Sequence, residues 1–213
     1  MIALLGSMLV SVAFFGYGAW RNHSFEYSYF LWNLFLAWIP FGLTFWLVRI
    51  LKKQLWSSWP ALVASFLWLV FLPNSFYMIS DFIHLQNVSR VDILYDAVMF
   101  TSFIYTGVLL GMSSLYLIHL ELKKRMPPRQ AGYWIGLTLF ICSFAIYVGR
   151  DLRWNSWDIL TNPGGLLFDV SDRLLHPSAY PQMLVTILTF FALLGSMYTM
   201  FWTGAALLRS GKR

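Results

Sequence analysis

"FLPNSFYMISDFIHL", residues 71–85, is the stretch whose reading decides the fold. An apolar run carries Pro73 and Asn74 in its middle, then delivers Asp81 and His84 three residues apart. Upstream, the chain is apolar back to residue 61. About 20 such residues, each rising ~1.5 Å, cross a hydrocarbon layer of ~30 Å. The stretch therefore reads as the far end of a membrane span. Pro73 removes one backbone donor and crowds the Leu69 carbonyl, which a membrane helix tolerates when neighbours satisfy the freed group. If the helix runs on through residue 84, Asn74, Tyr77, Asp81 and His84 recur at spacings of 3, 4 and 3 and share one face. That face is either a polar end meeting water or one wall of an outward-open cavity.

The same apolar pattern recurs along the chain. Six runs, roughly 2–20, 28–48, 61–80, 94–118, 131–149 and 181–208, predict an all-α membrane protein of about six spans, with residues 1–213 forming a single integral membrane domain. Only 11% of residues are charged and 59% are hydrophobic. Soluble domains carry about 25% charged residues, so a water-soluble globule is excluded. The net charge of +6 does not signal nucleic acid, because the basic residues flank apolar runs, where they orient helices against the bilayer. The first run has no charged leader or clear small-residue cleavage site and reads as a retained span. Cys142 is the sole cysteine, which excludes an intrachain disulfide and a thiol-built metal site.

Alternating crossings place the N-terminus, the loops 49–59 and 119–130, and the C-terminus on one side. Ten of the fifteen Lys/Arg residues fall there, which marks that side as cytoplasmic and both termini as inside. Eight of the nine carboxylates fall on the opposite side; only Glu121 is inside. Acidic residues contribute little to orientation, so a solvated rim or a functional outer face must account for that segregation.

Other runs place polar groups near the level of the opening stretch. Asn33 lies seven residues before Pro40 in the second run. The fourth run opens on "SRVD", where Ser89 and Asp92 have capping-box spacing, so Asp96, one turn deeper, needs a separate reason. The fifth run leads into "GRDLRWNSWDIL". Continued as a helix, this places Arg150, Arg153, Trp154 and Trp157 on one face and Asp151, Asn155 and Asp158 on the next. Tryptophan at this depth is ordinary interfacial anchoring. Two arginines in so short a stretch exceed that need, and a guanidinium fork suits phosphate or carboxylate. Past "TNPGG", Leu166, Leu167, Val170, Leu174 and Leu175 alternate with Asp169, Asp172, Arg173 and His176, which predicts a short amphipathic helix on the outer leaflet, placed to lid the site.

Several chemistries can be weighed on these residues. Asp81, His84 and Asp96, with Asp158, are of the right type for a divalent metal such as zinc or manganese, but no HExxH or paired histidines accompany them. His84 with a carboxylate could serve acid–base chemistry, yet no GxSxG nucleophile motif is present. A transporter would place its polar site near the midplane between repeated halves. Here no repeat is visible and the polar groups crowd one surface.

"NLFLAWIPF", "FLPNSFYMISDFIHL", "GVLLGMSSLY" and "GRDLRWNSWDILTNP", in this order, resemble the motifs of an uncharacterised bacterial multi-pass membrane family, domain of unknown function 1361. The resemblance covers the chain from about residue 28. It implies a bacterial cytoplasmic-membrane protein of this architecture and no particular activity. The matching positions are Asn33, Pro40, Pro73, Asn74, Tyr77, Asp81, His84, Asp96, Arg150, Arg153, Asn155, Trp157 and Asp158. Asp151 stands where that pattern is more apolar.

The expectation is an outward-facing polar pocket in the lipid bilayer, lined by Asn33, Asn74, Tyr77, Asp81, His84, Asp96, Arg150, Arg153, Asn155 and Asp158, that binds an anionic lipid headgroup or small solute and no nucleic acid. Arg150 should be neutralised by Asp81, Asp96 or Asp158, leaving Arg153 for the ligand. The competing readings are a membrane-embedded, metal-dependent enzyme acting on a lipid or envelope precursor, and a structural or accessory protein whose charges pair internally.

Overall fold

A computed structural model describes residues 1–87 and 93–210. Among them the chain is helical, and six helices are long and apolar enough to cross a membrane. They are α1 (Ile2–Asn22), α2 (Tyr29–Leu51), α3 (Trp59–Tyr77), α4 (Ile93–Lys123), α5 (Pro128–Asp151) and α8 (Pro181–Ser210). Two short helices, α6 (Asp158–Thr161) and α7 (Pro163–Leu175), separate α5 from α8. Prolines set several of the starts: Pro60 opens α3, Pro128 opens α5 and Pro163 opens α7. A proline at the first turn costs no hydrogen bond and its φ is already helical. His23, at φ 48°, ends α1 in the left-handed region. The expected Ser89–Asp92 helix start lies outside the described residues.

The chain divides into two compact units, Met1–Ser114 and Leu115–Arg213. In the first, α2 packs along α3, and α4 meets both through small residues. Gly107, Gly111 and Ser114 recur at spacings of 4 and 3 on one face of α4. A Cβ on Gly111 would stand 2.7 Å from the Phe76 ring, and one on Gly107 would stand 2.6 Å from Met78 Sδ and 3.1 Å from the Ser75 carbonyl. Small residues at such a crossing let two membrane helices approach at backbone distance.

Hydrogen bonds lock the same crossing. Ser114 Oγ accepts from Trp68 Nε1 at 2.8 Å and lies 2.6 Å from Thr44 Oγ1, which itself donates to the Pro40 carbonyl at 3.0 Å. Buried hydroxyls in a membrane need such partners, since no water is there to supply them. α1 is held to α4 by Ser7 and Ser11, both within hydrogen-bond reach of Thr106, and by Tyr95, whose hydroxyl donates to the Phe14 carbonyl.

In the second unit α5 packs along α8. A cluster of Tyr147, Val148, Met183 and Ile187 buries the end of this pair beside α7, and Leu166 and Val170 of α7 pack onto it. At the other end of the unit, His119 Nδ1 meets the Tyr198 hydroxyl at 2.8 Å, and the His119 ring stacks on Trp202 at 4.1 Å. Lys123 lies 5.0 Å over the same tryptophan. Glu121 pairs there with Lys124 and Arg125.

Two sequence expectations are corrected. The α-helix of the third span ends at Tyr77, and residues 78–87 tighten into a three-residue-per-turn helix. Asp81 and His84 therefore share an edge with Met78 rather than with Asn74. The fifth span stops at Asp151 and does not carry its helical face on to Trp157, because Arg153 turns left-handed at φ 59°.

Candidate functional site

In the first unit the polar groups gather where the start of α2 meets the tightened end of the third span. Asn33 Nδ2 donates to Asp81 Oδ2 at 3.0 Å, and Asp81 is 2% exposed. One helical turn before Asn33, the Tyr29 ring lies 5.2 Å from the His84 ring. Tyr27 donates to Asp96 Oδ2 at 3.4 Å; Asp96 is 3% exposed. Tyr27 also meets Phe100 edge-on at 5.1 Å. The start of α2 and the turn just before it thus bring a donor to each buried carboxylate and a ring to the histidine. The Asn74 amide donates to the Phe71 carbonyl, one turn back on its own helix. Tyr77 is half-buried, and its carbonyl accepts from Ser80.

Among the described residues no three of His, Cys, Asp and Glu gather as a metal-ligand set, so Asp81, His84 and Asp96 are not carried forward as one.

In the second unit the site residues sit at the end of α5. Arg150 continues the face of Leu139, Ser143 and Ile146, all buried, at spacings of 4, 3 and 4, and is itself half-buried. Arg153 is exposed and ends the helix in the left-handed conformation that glycine or asparagine usually supplies. For an ordinary L-residue that conformation costs about 1–2 kcal/mol. Trp154 follows at once: its amide reaches back to the Val148 carbonyl at 3.4 Å, and its indole donates to Asp169 Oδ2 at 2.8 Å.

Of the three acids expected as candidates to neutralise Arg150, namely Asp81, Asp96 and Asp158, Asp158 does not reach it. Asp158 folds onto its own turn, accepting from the Asn155 amide at 2.6 Å and from Thr161 at 3.0 Å. The Asn155 amide holds the Asp158 carboxyl below the usual carboxylate range. Asp172 is likewise engaged, accepting from the Tyr180 hydroxyl at 2.7 Å and lying 3.2 Å from His176 Nδ1. Among the described residues neither Arg150 nor Arg153 makes a hydrogen bond or a close ion pair, although the adjacent Asp151 carboxylate feels the charge of Arg150.

The helix after the turn is faced differently from the sequence expectation. Leu166 and Val170 turn inward with Asp169 and Arg173, which are half-buried. Leu167, Phe168, Leu174 and Leu175 are 57–75% exposed. Arg173 donates to the Asp169 carbonyl at 2.9 Å and stacks over the Tyr180 ring at 4.8 Å. The inward acid–base row was missed because its partners, Trp154 and Tyr180, lie 15 and 8 residues from the acids they meet. Tyr27 was also missed, because it lies in the turn just before α2, outside the helical spacing that picks out Asn33.

A family model described as "Protein of unknown function (DUF1361)" matches residues 32–196, and the chain belongs to that family. No curated protein and no solved structure matches it.

Proposed function

We propose that this member of the DUF1361 family sits in the bacterial cytoplasmic membrane with both termini inside and binds an anionic group at its outer end, through the arginine-bearing turn after α5. The observation that carries the reading is Arg153, which is exposed and makes no hydrogen bond or ion pair among the described residues, while Asp158, Asp169 and Asp172 are engaged elsewhere and the charge of Arg150 behind it is felt by the neighbouring Asp151. A guanidinium at the end of a span is expensive to keep without a counter-charge. One that also occupies a glycine's backbone conformation carries a second cost. An anionic ligand that accepts the fork of donors offsets both. The Lys/Arg asymmetry supports the orientation. α7 then lies on the outer leaflet beside the turn. The carboxylate row of the first unit, with Asn33, Asp81, His84 and Asp96, supplies a polar wall at the outer ends of its own spans.

Arg153→Gly separates ligand binding from architecture, because glycine keeps the left-handed turn and removes only the guanidinium. Purified wild type, titrated with inorganic phosphate, glycerol phosphate and phosphatidylglycerol, should bind at least one of them. Arg153→Gly should lose about tenfold or more of that affinity at unchanged folded yield. Equal binding by the two proteins would reduce Arg153 to a membrane anchor.

A further inference from the structure

In a water-soluble helix the outward face is polar. α7 reverses this. Leu167, Phe168, Leu174 and Leu175 are 67%, 72%, 57% and 75% exposed, and Ser171 is the one polar residue among them. The charged Asp169 and Arg173 are instead turned toward the unit, where they bond Trp154 and stack on Tyr180.

The depth of α7 is set by what it touches. Leu166 and Val170 pack against Tyr147 and Val148, in the last turns of α5, and against Met183 and Ile187, in the first turns of α8. α7 therefore lies level with the ends of two spans. At the same level, Leu184 and Val185 in the first turns of α8 are also exposed and apolar. Trp154, packed on the inward side of α7 with Leu166 and Val170, ties the helix to the arginine turn. A Cβ on Gly165 would stand 2.9 Å from the Trp154 ring, so the start of α7 lies directly on the residue that follows Arg153.

We infer that the exposed face of α7 and Arg153 together seat an anionic phospholipid of the outer leaflet, its acyl chains covering Leu167, Phe168, Leu174 and Leu175 and its headgroup meeting the guanidinium. This rests on the anion-binding reading and narrows it to a ligand that is half apolar. Arg173 is not the headgroup donor, since it faces inward and is engaged with Asp169 and Tyr180. Asp158, Asp169 and Asp172 are held by Asn155, Trp154 and Tyr180, and Asp151 faces the charge of Arg150, so none of them makes an ion pair with Arg153.

The test uses the full chain, stripped of lipid in neutral detergent and titrated with phosphatidylglycerol, phosphatidylcholine or chain-free glycerol phosphate. Native mass spectrometry reads bound ligand and oligomer mass together. Wild type should hold phosphatidylglycerol about tenfold more tightly than either of the others. Leu167→Ser/Phe168→Ser should lose about tenfold toward phosphatidylglycerol, and Arg153→Gly should bind the two lipids alike. Glycerol phosphate held as tightly as phosphatidylglycerol, and indifferent to Leu167→Ser/Phe168→Ser, would overturn the lipid inference and leave the anion reading standing. Phosphatidylglycerol preference unchanged in Arg153→Gly would overturn both. A dimer abolished by Leu167→Ser/Phe168→Ser, with no bound lipid, would assign the face to a second copy of the chain and overturn the inference.

Discussion

Asn33 donates to Asp81 across 3.0 Å, from the first turns of α2 to a carboxylate that is 2% exposed. The bond ties the tightened end of the third span to the second span. Removing the donor from a buried carboxylate costs about 1–3 kcal/mol. Asn33→Leu should therefore lower stability by that amount in detergent unfolding. Asp81→Asn should cost less, since the amide keeps the shape and an acceptor oxygen. Equal stability of wild type and Asn33→Leu would show that the bond holds nothing together.

The small-residue face of α4 makes a sharper packing prediction. A Cβ on Gly111 meets the Phe76 ring at 2.7 Å and Ser75 Cβ at 2.8 Å, whereas one on Gly136 meets nothing within 4 Å. Gly111→Ala should destabilise by about 1–3 kcal/mol, the range for overpacking a filled core. Gly136→Ala should be neutral or slightly stabilising, because alanine is the better helix former. Thermal unfolding of the two variants side by side checks both.

α7 should loosen at both extremes of pH. The Tyr180 hydroxyl, with His176, holds the Asp172 carboxyl below its ordinary range. That contribution is complete above about pH 4 and is lost as pH falls through the depressed folded value. The same bond to Asp172 raises the Tyr180 hydroxyl. Its contribution is complete below about pH 10 and is lost as pH rises through the raised value. Hydrogen-exchange protection of α7 amides should hold between these limits and fall outside them. Tyr180→Phe should lower protection across the plateau; a variant as protected as wild type would mean the bond does not hold the helix.

The six spans and the helix between the last two were legible in the sequence because length and blocked apolarity suffice to specify them. Local geometry was less so. The tightened turns after Tyr77 were hidden because Asp81 and His84 fit a helical spacing whether the turn holds 3.6 residues or three. The end of α5 was hidden because its left-handed residue is an arginine, where glycine would have announced the stop. The facing of α7 was hidden for a different reason. Its sequence shows two rows of opposite chemistry, but which row faces the protein depends on partners elsewhere, Trp154 for Asp169 and Tyr180 for Asp172. Of the proposed site residues, Asn33 and Asp81 do meet, whereas Asp158 turns to its own backbone instead of Arg150.

Anion binding at the outer leaflet requires the arginine turn to face the outside of the cell. A single cysteine at Asn162, compared with one at Lys124, tests this in intact cells with a membrane-impermeant maleimide. Cys142 is fully buried and should stay silent in the background. Asn162→Cys should label from outside, and Lys124→Cys only after the membrane is permeabilised. Labelling of Lys124→Cys in intact cells, with Asn162→Cys protected, would turn the turn inward and contradict the account.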